Sequence, residues 1–151
     1  MKMVQNKKNL IIGVLGGNEC SGEIGKIAYQ IGQEIAKAGH ILICGGLGGV
    51  MEHACKGAKE AGGLTIGILP GKEKFEANDY IDIPIVTAMS HARNAIIVRT
   101  ADILVAIGGK YGTLSEIALA KAIDKPVYGL KTWEIDGVIK INKFSEIPLP
   151  K

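Results

Sequence analysis

The stretch DILVAIGGKYGTLSEIALAKAI, residues 102–123, decides the fold. It opens on an apolar run, DILVAI (102–107), the pattern of a strand buried on both faces of a sheet. Gly108, Gly109, Gly112 and Thr113 come next, and TLSEIALAKAI (113–123) continues with the composition and length of a helix. Buried strand, glycine turn and helix in succession are the half-unit of a parallel α/β sheet.

The unit repeats in both directions. PVYGL (126–130) is a further apolar strand. Upstream, LIIGVL (10–15), HILIC (40–44) and LTIGIL (64–69) read as strands. GEIGKIAYQIGQEIAKAG (22–39) places Ile24, Ile27, Ala28, Ile31 and Ile35 on one helical face, with Ser21 as N-cap and Gly39 as stop. VMEHACKGAKEAG (50–62) is the second helix, and SHARNAIIVRTA (90–101) the third, with Ser90 as its N-cap. PGKEKFEANDY (70–80) is a polar loop, and Pro84 demotes IDIPIVTA (81–88) to an edge or irregular strand. The segment 133–151 carries no clear period. The predicted architecture is a three-layer, doubly wound parallel sheet of the Rossmann-like α/β class, with residues 1–151 as one domain.

Composition narrows the function. A net charge of +3 is too small for a nucleic-acid coat, and aromatic residues at 5% offer no stacking platform, so no nucleic-acid partner is expected. Cys20, Cys44 and Cys55 are odd in number and lack C-x-x-C spacing, and His40, His53 and His91 lack paired ligand spacing; neither a disulfide framework nor a metal site is expected. The apolar run at 10–15 is too short for a secretory signal, and Arg99 and Asp102 interrupt the longest apolar region. A cytoplasmic protein without a membrane partner is expected.

In an open parallel sheet, ligands bind outside the carboxyl ends of the strands. Three glycine clusters fall there: Gly16 and Gly17; Gly45, Gly46, Gly48 and Gly49; and Gly108, Gly109 and Gly112. Glycine admits a phosphate close to the backbone, and a helix N-terminus meets it with free N–H groups. A dinucleotide site is disfavoured: the first turn, GGNECSGEIG, breaks the G-x-G-x-x-G spacing, and no acid closes the second strand. No Walker A loop occurs.

Two readings of Thr113-Leu114-Ser115-Glu116 stand side by side. As a capping box, Thr113 starts the helix and Glu116 bonds back to it. As a site, Thr113 meets a phosphate while Glu116 faces an attached sugar, where a carboxylate steadies charge at an anomeric carbon. Arg93 is likewise either a bidentate phosphate ligand or a solvated surface arginine, the simpler assignment. Arg99 is read as solvated or interfacial.

CGGLGGVMEHACKGAKEAGGLTIGILPG (44–71) and SHARNAIIVRTADILVAIGGKYGTLSEIALAKAIDKPVYGL (90–130) resemble the "lonely guy" Rossmann family, formerly labelled lysine decarboxylases. The likeness spans roughly residues 9–131; the family's signature, P-G-G-x-G-T-x-x-E after an arginine-bearing helix start, is approximated here by IGGKYGTLSE (107–116) after Arg93. It implies a nucleotide-type ligand. In the hydrolase branch, nucleoside 5′-monophosphates are cleaved to base and ribose 5-phosphate; the catalytic pair would fall on Arg93 and Glu116, and the phosphate loop on Gly108, Gly109, Gly112 and Thr113. Ile107 stands at the signature proline, and Ser90 and Asn94 replace that branch's methionine and lysine. These departures are closer to the molybdenum-cofactor carrier-like branch, whose members hold a phosphorylated pterin without known turnover.

The expectation is a carrier or binding protein for a phosphorylated, nucleotide-like molecule, molybdopterin or a nucleotide monophosphate, with no cofactor required. Phosphoribohydrolase activity is the alternative. The resemblance also implies a homodimer or higher homo-oligomer. Lysine decarboxylation is not expected, since no pyridoxal-phosphate site is legible.

Overall fold

The computed structural model describes residues 9–149. Strands β1 (Ile11–Gly16), β2 (Ile41–Cys44), β3 (Thr65–Leu69), β4 (Ile83–Val86), β5 (Ile103–Ile107), β6 (Val127–Leu130) and β7 (Ile139–Lys140) form one sheet in the order β4-β3-β2-β1-β5-β6-β7. Every pairing is parallel. Helices α1 (Gly22–Lys37) and α2 (Val50–Glu60) cover one face, against Ile12, Val14, Leu42 and Val105. Helices α3 (Asn94–Thr100) and α4 (Tyr111–Ala122) cover the other, against Leu15, Ile43, Leu104 and Ala106. The strands read as unbroken apolar runs because both of their faces are covered. This is the three-layer Rossmann-like sheet expected from the sequence. No described helix is long and apolar enough to cross a membrane.

The local signals act as read at several ends. Ser21 accepts a hydrogen bond from the Ile24 amide at 3.2 Å, capping α1, and Gly39 follows its end with φ +81°. Pro84 lies on β4, which is the sheet's edge. His40 is buried, and its Nδ1 accepts from the Leu10 amide at 2.9 Å, so this histidine is satisfied by the backbone.

Helices α1 and α2 approach to backbone contact. A Cβ at Gly32 would lie 1.9 Å from the Ala54 carbonyl oxygen, and one at Gly57 would lie 2.0 Å from that of Tyr29.

The helix expected from Ser90 is corrected. Residues Ser90–Arg93 form a 3-10 turn and the α-helix begins at Asn94. Ser90 has φ +53° and caps nothing; Ala88 has φ +54°. Their amides donate to the Gly71 (from Ala88, 2.8 Å) and Pro70 (from Ser90, 2.9 Å) carbonyls, which holds this left-handed reversal after β4. A left-handed alanine costs roughly 1–2 kcal/mol that glycine avoids, less glycine's own entropic penalty of about 0.5–1 kcal/mol. Ala88→Gly at this exposed position is therefore expected to stabilise the fold by about 0.5–1 kcal/mol, a rise of about 1–4 °C in thermal midpoint. A lowered midpoint in a thermal melt would contradict it.

The segment after β6, unassigned from sequence, is structured. It supplies β7 and buries Ile141, Phe144 and Ile147 in the α1–α2 side of the core. On the way, Thr132 Oγ1 donates to the Gly108 carbonyl at 2.6 Å and Trp133 Nε1 donates to the Lys110 carbonyl at 2.9 Å. The glycine turn after β5 is thus held from outside the sheet.

Candidate functional site

Strand order reverses direction between β1 and β5, and the crevice at such a switch point is where open α/β sheets take ligands. A cavity of about 530 Å³ lies there, of the size that holds a small molecule. Gly16 reaches it from the end of β1, Gly17 and Gly45 from the loops after β1 and β2, and Gly109, Gly112, Thr113 and Glu116 from the turn after β5 and from α4. Arg93 enters from the 3-10 turn before α3. Gly46, Gly48, Gly49 and Gly108 do not line it; they shape the loops behind. Gly46 (φ +78°) backs onto Gly67 and Leu69, Gly48 donates its amide to Asn18 Oδ1 at 2.8 Å, and Gly49 (φ +58°) abuts the Gly17 carbonyl. Gly108 (φ +56°) donates its amide to the Leu130 carbonyl at 3.1 Å.

The capping box is replaced by a different helix start. Helix α4 begins at Tyr111, two residues before Thr113, so Thr113 sits in the first turn and Glu116 in the second, too far along to bond back to a cap. The cause is Gly109: with φ +95° it turns the chain into the helix early, and a Cβ there would lie 2.2 Å from Thr113 Oγ1. The first backbone bond of the helix runs from the Leu114 amide to the Lys110 carbonyl at 3.0 Å, and no side chain caps this end. The amides of Tyr111, Gly112 and Thr113 therefore stand at the positive end of the helix dipole, outside its ladder.

Arg93 is not a surface residue: it is 7% exposed. Its Nε donates to the Ile68 carbonyl at 2.9 Å, one terminal nitrogen donates to Asn94 Oδ1, and the other approaches the Gly45 carbonyl at 3.5 Å. These contacts use three of its five N–H groups and leave two for the cavity. A guanidinium keeps its proton under burial, so a fixed positive charge forms part of the cavity wall. Arg99, by contrast, is exposed.

Glu116 is the second buried charge, at 8% exposure. Burial pushes its carboxyl up to about 7, against the opposing pull of the Arg93 guanidinium. The two residues line the same cavity without a direct ion pair, so a polar group can enter between them. Near neutrality the carboxyl exists in both forms and can accept or donate a hydrogen bond.

Sequence reasoning missed several lining residues. Asn18 lies in the β1–α1 loop, Met51 in α2, Asn94 beside Arg93 and Lys110 at the N-cap of α4. Lys110 was legible in principle, as a cation inside a glycine loop; Met51 looked like an ordinary helix residue. A larger cavity of about 660 Å³ lies under residues 131–142. Its charged lining residues, Lys131, Glu134, Asp136 and Lys140, are all exposed, and no buried ionisable group reaches it. The convergent polar chemistry belongs to the smaller cavity.

Known proteins share this chain's sequence and fold. The profile of the SLOG cluster4 family matches residues 9–147. An uncharacterized protein of Archaeoglobus fulgidus is 53% identical over 131 residues, 87% of this chain and 82% of that protein. The molybdenum cofactor binding protein of Rippkaea orientalis superposes with a TM-score of 0.86 at 42% identity, covering 91% of this chain and 92% of its own. The molybdenum cofactor carrier protein of Chlamydomonas reinhardtii does so with a TM-score of 0.79 at 39% identity, over 91% and 92%. With nearly the whole described sheet and both walls of the crevice inside the matched range, the chain belongs to the SLOG cluster4 family, on the molybdenum-cofactor carrier side of the Rossmann-like "lonely guy" superfamily.

Proposed function

We propose that this cavity binds a small phosphorylated heterocycle, a molybdopterin-type cofactor held as cargo, with its phosphate at the first turn of α4 and beside Arg93. One observation carries the reading: a buried, triply anchored guanidinium and an uncapped helix N-terminus open onto the same cavity. Both favour an anion, and their shared cavity supports one position for it. The donor set suits a phosphomonoester, and the cavity wall of Val14, Ile24, Leu47 and Met51 suits a flat organic ring. The printed functions of the Rippkaea and Chlamydomonas relatives support the same ligand class.

The test is twofold. Protein purified without added ligand is examined for pterin emission and for molybdenum. Calorimetry then compares wild type with Arg93→Met against pterin phosphates and nucleoside monophosphates. Loss of the charge-assisted bonds is expected to weaken binding ten- to hundredfold, about 1.4–2.7 kcal/mol. Equal affinity of the two proteins, or no binding of any phosphorylated compound, rejects the reading.

Phosphoribohydrolase activity is the second reading, favoured by a single feature: a carboxyl raised to about 7 shares the cavity with the arginine. Such a group near neutrality is suited to proton transfer or to stabilising an oxocarbenium-like state. Release of ribose 5-phosphate from AMP, abolished in Glu116→Ala with phosphate binding retained, is its signature. A homo-oligomer in a reducing cytoplasm, acting without a nucleic-acid partner, completes the proposal.

A further inference from the structure

Cys44 ends β2 and Cys55 lies in the second turn of α2. Both are fully buried, and their sulfur atoms are 3.6 Å apart. Between them in sequence runs the loop Gly45–Gly49, and its Gly46 amide donates to Cys44 Sγ at 3.3 Å. The geometry points to a modification site: Cys44 and Cys55 form a reversible disulfide, and that bond tightens the glycine loop that closes one side of the ligand cavity.

The distance supports it. A disulfide needs its sulfurs at about 2.05 Å, so the gap to close is about 1.5 Å, within reach of side-chain rotation and a small backbone shift. The place where that shift can occur is visible. Helix α2 has no side-chain cap, and it begins after Gly49, at φ +58°. The neighbouring thiol and burial push the Cys55 thiol up, so the reduced pair is unreactive while closed and reacts through local opening of this uncapped end.

The oxidant is a small hydroperoxide such as hydrogen peroxide. One thiol sulfur takes an oxygen as the O–O bond breaks, giving a sulfenic acid and water. The second thiol attacks that sulfur; the S–S bond forms, the S–O bond breaks, and hydroxide leaves with the thiol proton as a second water. Two electrons pass from the sulfurs to the peroxide, and a dithiol reductant returns them.

The bond matters for the cavity because Cys44 adjoins Gly45. The Gly45 carbonyl approaches Arg93, and Gly45, Leu47 and Met51 all line the cavity. A disulfide would enclose residues 45–54 in a covalent ring, restricting one wall of the cavity while leaving α4 untouched.

The test uses the native wild-type chain. It is treated with hydrogen peroxide, then unfolded in iodoacetamide and mapped by peptide mass. A peptide pair joining Cys44 to Cys55, lighter by two hydrogens and separated by dithiothreitol, is expected. Amide exchange across residues 45–50 is expected to slow several-fold in the oxidised form and recover on reduction. Full alkylation of Cys44 and Cys55 under treatment that oxidises Cys20 overturns the proposal. So does a link that forms only in denaturant. A native link with unchanged exchange overturns its coupling to the loop. No outcome depends on which ligand the cavity takes.

Discussion

Replacing Gly32 with alanine is expected to destabilise the protein by about 2–3 kcal/mol and to lower its thermal midpoint by about 4–12 °C. The new Cβ would fall 1.9 Å from the Ala54 carbonyl oxygen on α2, a backbone atom that no rotamer change can move. Relief requires α1 and α2 to separate, which loosens Ile31, Ile35, Ala54 and Ala58 in the core. Against this stands the helix propensity gained on replacing glycine, about 1 kcal/mol, already subtracted here. Gly57→Ala is expected to act alike, since its Cβ would fall 2.0 Å from the Tyr29 carbonyl oxygen. The double variant should cost less than the sum, because the first substitution has already parted the helices. Gly22→Ala, whose Cβ would meet nothing within 4 Å, is the control. Denaturant unfolding of the wild type and the four variants decides it; midpoints for Gly32→Ala and Gly57→Ala equal to the control would show that the helices are not in backbone contact.

Glu116→Gln is expected to stabilise the protein by about 3 kcal/mol above pH 8 and to change little near pH 4. The sign follows from proton counts. The folded-state value, about 7, lies above the ordinary 4.5. Between these the folded protein holds a proton that the unfolded chain has lost, so wild-type stability falls as pH rises through that window. Above it the full cost of a buried carboxylate is present; glutamine, which cannot ionise, escapes it. Near pH 4 the neutral acid and the amide are near equivalents beside the same Arg93. Urea unfolding of both proteins from pH 4 to 9 measures the gap. A difference that stays constant across that range would show that the carboxyl titrates normally.

The strands and the glycine-lined crevice at their carboxyl ends were legible because a doubly covered sheet writes itself as unbroken apolar runs, and its loops write themselves as glycine. Ser21, Gly39 and Pro84 were legible for local reasons: a side-chain cap, a left-handed turn and a missing donor. The failures came from distant partners. Arg93 looked solvated because the carbonyls that anchor it, Ile68 and Gly45, lie 25 and 48 residues away. Gly32 and Gly57 carry no signal within their own helices, since their reason is the other helix. Thr113 and Glu116 matched a capping pattern, but the backbone of Gly109 had already begun the helix. The last segment escaped because Ile141, Phe144 and Ile147 fill a space shaped by other elements and follow no strand alternation.

The indole of Trp133 leans on the glycine turn through its bond to the Lys110 carbonyl, and the chain has no other tryptophan. The molecule therefore carries a built-in optical gauge at the rim of its crevice. Any event that shifts residues 108–110 alters the hydrogen bonding of that ring, and the colour of its emitted light follows without a label.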